Sequence, residues 1–438
     1  MSQFGIPANL LDLKVSETAE TLIGSEIIKL AGEIREKIQS GHKIYNLTIG
    51  DFNPEIFPIP DSLLEGIIEA YKHKETNYPP SEGILELRKA ISRFIHTRLG
   101  LEYNIDQILV AGGARPLIYA IYKTILDPGD IVLYHTPSWN NNHYTHLMQA
   151  KGVAFETLPV NYFMPVAEDI RPYIQDATLL ALCSPLNPTG TVFSRQQLEK
   201  ICELVLEENI ARAGKKKPLY VMYDQVYWTL THKDNFHHDP VTLYPEMKNF
   251  TIYVDGISKA FAATGVRVGW SFGPQKIIEK MKSVLGHMGA WAPKPEQVAT
   301  AKFLMDDQKV DDYLEVFKNE LCQRLDALYH GFVSLREEGF KVDAIPPQAA
   351  IYLSVQFDIT GRQYNGKVLQ NAEDIAGFLL KEANLAIVPF YAFGTSKNFN
   401  WFRISVGTLR KEDIPEIIKK TQRCTVKVVL KLNYEKSK

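Results

Sequence analysis

A lysine just beyond an apolar strand, with an arginine eight residues further on, can handle a carbonyl and an anion together. Lys259 and Arg267 stand in this relation: the strand-like run Thr251–Val254 precedes the lysine, and glycines and small residues surround the arginine. An amine desolvated at the carboxyl edge of a sheet acts as a nucleophile toward a carbonyl. The plain alternative is an ordinary surface lysine. A Ser–Lys hydrolase pair is a third reading, weakened because the adjacent Ser258 and Lys259 do not face each other on a helix. Three more loops offer complementary groups. Ala111–Pro116 joins a strand to a helix with Pro116 at the first helical position, and its free N–H groups and positive dipole end suit a phosphate. Asn187, in the turn-rich stretch Cys183–Gly190, is an active-site amide or a turn former. Asp224, at the end of an apolar run, is a buried functional carboxylate or a helix cap.

These groups matter because of the elements that carry them. Candidate strands are Gln107–Val110, Ile131–His135, Val153–Leu158, Thr178–Cys183, Leu219–Tyr223, Thr251–Val254 and Val266–Phe272, with helical stretches such as Pro116–Leu126, Asn142–Ala150 and Ser194–Ala213 between the earlier ones. Such alternation predicts a mainly parallel sheet covered on both faces, with sites just past the carboxyl ends of its strands. After about residue 275 the pattern changes. Long helical stretches (Gln275–Gly286, Pro295–Met305, Val310–Glu338) precede strand-like Ala350–Phe357, Leu385–Val388 and Trp401–Val406, which predicts a second, α+β domain. The helical stretch Ser25–Ser40 cannot form a domain alone and is expected to pack on the C-terminal domain or on a partner subunit.

Composition sets the limits. The 438 residues correspond to two or three domains at roughly 150 residues each. With 49 basic and 51 acidic residues the formal charge is −2, which argues against nucleic acid as the main partner. The four cysteines, Cys183, Cys202, Cys322 and Cys424, are scattered and form no CxxC pair, so they favour a reducing compartment and give no metal-ligand spacing. The N-terminus shows no signal-peptide pattern and no apolar run approaches a membrane span, so the expected location is the cytoplasm.

Taken together, these loops resemble those of the fold-type I, class I/II aminotransferases, which use pyridoxal 5′-phosphate. The matches run in family order from about Ile49 to Val406. They comprise Asn187 to Gly190 (Asn-Pro-Thr-Gly), Asp224 with Tyr227, Ser258–Lys259 with Gly265, Arg267 and Gly269, Tyr78 to Gly83 followed by Leu87–Arg88, and Phe402 to Ser405 around Arg403. The resemblance implies a Schiff-base lysine, Lys259, that also moves the proton, and Asp224 on the ring nitrogen. It implies that Asn187 and Tyr227 bind the phenolic oxygen and that Trp139 stacks on the ring. Arg267, Ser258 and the N–H groups of Gly113, Ala114 and Arg115 would hold the phosphate. Arg403 would take the substrate carboxylate, for which Gly50 leaves room, and Asn187 would also lie at the substrate. Tyr78 would reach the neighbouring subunit's cofactor, making the working unit a homodimer.

The chain departs from the family pattern at Gly256 and Ala114, where phosphate-binding side chains are common, so that Arg115 would compensate; Gln225 replaces a frequent Glu with little expected effect. His143 would either back up Asp224 or merely start a helix, and is left outside the site. The implied fold has a three-layer αβα large domain over residues 55–295, holding a mainly parallel seven-stranded sheet. Residues 1–54 and 296–438 would form one smaller α+β domain. The implied reaction moves an amino group from an L-amino acid to a 2-oxo acid in two half-reactions. A C–S β-lyase uses the same core residues. A cofactor-binding regulator needs an N-terminal DNA-binding domain, for which the early motifs leave no room, and an acyl-transferring branch usually has His in place of Tyr227. The side chain of the substrate stays open; Phe52, Tyr391 and Phe393 near the site loops would suit an apolar or aromatic one.

Overall fold

The computed structural model describes residues 14–24, 26–41 and 43–435. A short strand, β1 (Tyr45–Asn46), precedes the main sheet. That sheet contains β2 (Ile108–Ala111), β3 (Ile131–Thr136), β4 (Lys151–Glu156), β5 (Ala177–Cys183), β6 (Tyr220–Asp224), β7 (Thr251–Gly256) and β8 (Gly269–Phe272) in the order β2-β8-β7-β6-β5-β3-β4. The run from β7 to β4 is parallel, and β8 alone is antiparallel to both of its neighbours. The inner strands are buried almost end to end because helices cover both faces, whereas edge strand β4 is exposed at most positions. The carboxyl ends of β5, β6 and β7 stand side by side, with Cys183 opposite Asp224 and Asp224 opposite Val254.

Beyond the long helix Asp307–Glu337 the chain forms β9 (Val342–Ala344), β10 (Tyr352–Phe357), the hairpin β11 (Gln363–Tyr364) and β12 (Lys367–Val368), then β13 (Leu385–Ala386), β14 (Val388–Pro389) and β15 (Trp401–Ser405). The antiparallel sheet β14-β15-β10-β9 is separate from the main one, while β13 pairs in parallel with β1. Leu47 N–H donates to Ala386 O and Ser405 N–H donates to Leu47 O, so the segment near residue 45 is stitched into the C-terminal part. Helix Glu26–Gln39 contributes Ile34 to a cluster with Leu380 and Ala386, which is the C-terminal packing expected of the early helical stretch. Ser25, which that expectation included, lies outside the described residues.

Two expected strands differ from those observed. Val266–Phe272 begins only at Gly269, because Arg267 adopts a left-handed φ of 63° that extended backbone does not allow. Leu385–Val388 is divided: Leu385 and Ala386 pair with β1, and Val388 and Pro389 pair with β15. A single apolar run therefore serves two sheets, which periodicity cannot reveal. Other boundaries shift by one to three residues, as helix and strand ends commonly do.

Candidate active site

The loops that follow β5, β6 and β7 converge on a cavity of about 430 Å³, a size ordinary for a small-ligand site. Its lining includes Gly50, Ala114, Arg115, Trp139, Asn187, Asp224, Tyr227, Ser258, Lys259, Arg267 and Arg403, residues drawn from both sheets and from the segment after β1. Gly113 stands one step behind, as the N-cap of helix Ala114–Ile125. Tyr78 does not line this cavity: it is 83% exposed and packs edge-on against Trp291, ring centroids 5.4 Å apart. His143 sits in the first turn of helix Asn141–Leu147, half-buried and likewise outside the lining. A larger groove of about 750 Å³, lined by Arg98, Trp228, Phe236 and Lys318 among others, contains none of these groups.

Lys259 follows β7 on the single helical turn Ile257–Ala260. Its Nζ donates to Gly50 O at 2.6 Å. Burial pushes its amine down to about 8, with Arg403, Arg115 and Arg267 adding to the effect and Asp51 opposing it. Asp224, at the end of β6, accepts Val226 N–H at 3.2 Å, and burial pushes its carboxyl up to about 6. Behind it lies a second buried carboxylate. Asp255 accepts Gly256 N–H (2.7 Å), Trp228 Nε1–H (2.8 Å) and Gln225 Nε2–H (3.4 Å), and burial with a smaller push from Asp224 holds it near 7. Gln225 thus links the segment after β6 to Asp255 of β7.

The anion-facing end is built on helix Ala114–Ile125. Arg267 donates to Gly112 O at 2.9 Å and to Thr264 O at 2.7 Å, which brings its guanidinium to the first turn of that helix. Its left-handed backbone is the kind of local strain that surrounding structure holds in place at functional sites. Close packing also explains the missing side chain at position 256. A Cβ on Gly256 would lie 2.8 Å from Gly269 Cα and 2.9 Å from Val268 O, so a hydroxyl-bearing residue has no room there. Arg115 lies over the Trp139 ring at 5.5 Å and has no hydrogen-bonded partner among the described residues.

At the other end, Arg403 leaves β15 fully buried. It donates to Thr48 O at 2.6 Å and Asn187 Oδ1 at 3.1 Å, while its Nε has no partner among the described residues. The rings of Tyr352 and Phe393 flank its guanidinium at 4.7 and 4.9 Å. Tyr352 also shares a 2.6 Å hydrogen bond with Tyr227, hydroxyl to hydroxyl. Tyr352, Asp255 and the Thr264–Asp51 hydrogen bond (2.6 Å) escape sequence reasoning. Only Asp255 carried a local signal, four residues before the lysine.

Four cations (Arg115, Lys259, Arg267, Arg403) line the cavity against two acids, Asp51 and Asp224. The surplus suits a ligand with anionic groups at both ends, and the buried Asp224 suits a cationic ring nitrogen between them. An amine with a lowered proton affinity beside that space suits carbonyl chemistry.

Residues 42–420 match the family model described as Aminotransferase class I and II. The aspartate aminotransferase of Rhizobium meliloti is 29% identical over 392 residues, 89% of this chain and 90% of the relative. That of Streptomyces avermitilis is 31% identical over 84% of this chain and 86% of its own. The crystal structure of the Rhizobium meliloti aspartate aminotransferase superposes with a TM-score of 0.87 at 26% identity, covering 95% of this chain and all of that one.

Proposed function

The chain belongs to the class I and II aminotransferases, and from that premise we propose roles for its individual residues. The enzyme is a pyridoxal-phosphate-dependent aminotransferase that moves an amino group from an L-amino acid to a 2-oxo acid. The β-lyase reading is not favoured, since the named relatives are aminotransferases.

The cofactor, when bound, supplies an electrophilic carbonyl and an electron-accepting ring. Lys259 offers the amine for a Schiff base and, with an amine near 8, exchanges a proton near neutral pH. Asp224 holds a positive charge at the ring nitrogen, relieving its own costly burial. Arg267, Ser258 and the N–H groups of Gly113, Ala114 and Arg115 hold the phosphate. Asn187 and Tyr227 hold the phenolic oxygen, and Trp139 covers the ring. Arg403 takes the substrate carboxylate over Gly50, oriented by Asn187 and Thr48.

The observation that carries this reading is the lysine: a buried-side amine with depressed proton affinity, held at 2.6 Å by Gly50 O in a cavity of surplus positive charge. Borohydride reduction followed by peptide mass spectrometry tests it. The cofactor's mass should be fixed on the Lys259 peptide and be lost in Lys259→Ala; a label elsewhere, or none, defeats the reading.

A dicarboxylic amino donor is supported by the relatives' names. Stopped-flow loss of the cofactor's visible band against single amino acids should therefore favour aspartate over alanine and phenylalanine. The exposure of Tyr78 supports a homodimer in which its ring enters the neighbouring site. Residues 55–295 form the cofactor domain in this reading, with 1–54 and 296–438 as the smaller one. The four free thiols suit a reducing, cytoplasmic compartment. Among the described residues, no helix is long and apolar enough to cross a membrane.

A further inference from the structure

Tyr352 and Arg403 lie on facing strands of the small sheet. In the β10–β15 ladder Ser354 is opposite Arg403 and Tyr352 is opposite Ser405, so the tyrosine and the arginine are diagonal neighbours on one face. The sheet therefore presents a hydroxyl and a guanidinium in a fixed relation, with the guanidinium 4.7 Å from the tyrosine ring. Both are buried.

Their polar ends meet above Gly50. A Cβ placed on Gly50 would lie 2.9 Å from Tyr352 Oη, 3.6 Å from Arg403 Nη1 and 3.8 Å from Arg403 Nη2. Three donor-bearing atoms from two side chains thus converge on one small volume that any other residue at position 50 would fill. Tyr352 Oη also touches Tyr227 Oη at 2.6 Å. Two hydroxyls so placed share one hydrogen bond, and the second proton must point elsewhere. Burial raises the proton affinity of both tyrosines, so both keep their protons near neutral pH.

We propose that Tyr352 is a carboxylate-sensing residue of the substrate site. Its hydroxyl donates to Tyr227 until a substrate carboxylate reaches Arg403, then donates to that carboxylate, so that Tyr227's proton turns toward Tyr352. This rests on the reading above, in which Arg403 receives the carboxylate and Tyr227 faces the cofactor's phenolic oxygen. No bond other than hydrogen bonds changes: Tyr352's proton leaves Tyr227 for the carboxylate, and Tyr227's proton takes its place between the two hydroxyls. Carboxylate binding then withdraws one donor from the phenolic oxygen, which raises the proton affinity on the cofactor side.

The probe is propionate, a carboxylate with no amino group to transfer. Calorimetry on the cofactor-free protein should show Tyr352→Phe binding propionate about tenfold more weakly than the native chain, the loss expected for one hydrogen bond to a charged group. In the holoenzyme, propionate should move the pH midpoint of the visible band upward in the native protein and leave it unmoved in Tyr352→Phe. Tyr227→Phe removes the other end of the pair; it should keep propionate affinity within about twofold and also lose the upward move. Thermal midpoints check that the variants fold. The proposal is overturned if Tyr352→Phe keeps native affinity and the native shift, or if Tyr227→Phe loses affinity as Tyr352→Phe does. Arg403→Gln separates the two levels. If it too keeps native propionate affinity, the carboxylate site itself is wrong; if it alone loses affinity, only the role of Tyr352 falls.

Discussion

Arg403 Nη1 donates to Asn187 Oδ1 at 3.1 Å, a hydrogen bond that spans 216 positions of sequence. It joins a strand of the small antiparallel sheet to the loop at the carboxyl end of β5. The proposed substrate cation and the proposed cofactor amide are therefore one unit, and displacement of either sheet against the other would disturb both.

The same junction depends on Gly190. Its φ is +74°, and its carbonyl accepts from Gln348 N–H at 3.1 Å and Ala349 N–H at 2.9 Å. A Cβ there would sit 2.1 Å from Tyr352 O. Gly190→Ala combines left-handed strain with a backbone clash, and should cost roughly 2 kcal/mol or more. A lowered urea midpoint, with substrate affinity reduced alongside, is the expected result.

The lysine predicts a pH dependence. With its amine lowered to about 8, Lys259 is mostly protonated below that pH and mostly neutral above it. Only the neutral amine attacks a carbonyl. The rate of cofactor capture by the cofactor-free protein should therefore rise with pH and level off above about 8. An ordinary lysine would keep rising toward ~10.4. Stopped-flow mixing with cofactor across pH 6 to 10 distinguishes the two profiles.

Asp224 predicts an opposite signature in stability. Its folded carboxyl, near 6, lies above the ordinary carboxylate range because of burial, and Asp255, near 7, behaves alike. Between pH ~4 and these values the unfolded chain has already released protons that the folded chain retains. The cofactor-free protein should lose stability as pH rises through that window and remain weaker above it. Asp224→Asn should recover roughly 1–2 kcal/mol at pH 8 in urea unfolding while weakening cofactor retention.

Subunit exchange tests Tyr78. Variants Tyr78→Ala and Lys259→Ala should each be inactive alone. Mixed and allowed to exchange, half the dimers are hybrids, and each hybrid holds one site with both native residues. About a quarter of the native sites should then return. Recovery near zero would place Tyr78 outside the neighbouring site.

Much of this molecule was legible in local sequence. Apolar runs alternating with helical stretches reported a parallel sheet, because a strand buried on both faces must be apolar along its length. The Lys259, Asp224 and Asn187 loops stood out because each ends such a run, and sheet topology collects strand ends in one place. Local pattern could not say which strand pairs where. Leu385–Val388 reads as one strand and serves two sheets, and Arg267 stops a strand early through its left-handed backbone angle. Tyr352 had no motif at all. Its importance arises when the small sheet carries its hydroxyl to Tyr227 and the space over Gly50. The sequence by itself determined the chemical groups and their order along the chain. The tertiary structure decided their burial, and with it the lowered amine of Lys259, the raised carboxyl of Asp224 and the meeting of Arg403 with Asn187, since proton affinity and contact depend on surroundings that no stretch of neighbouring residues contains.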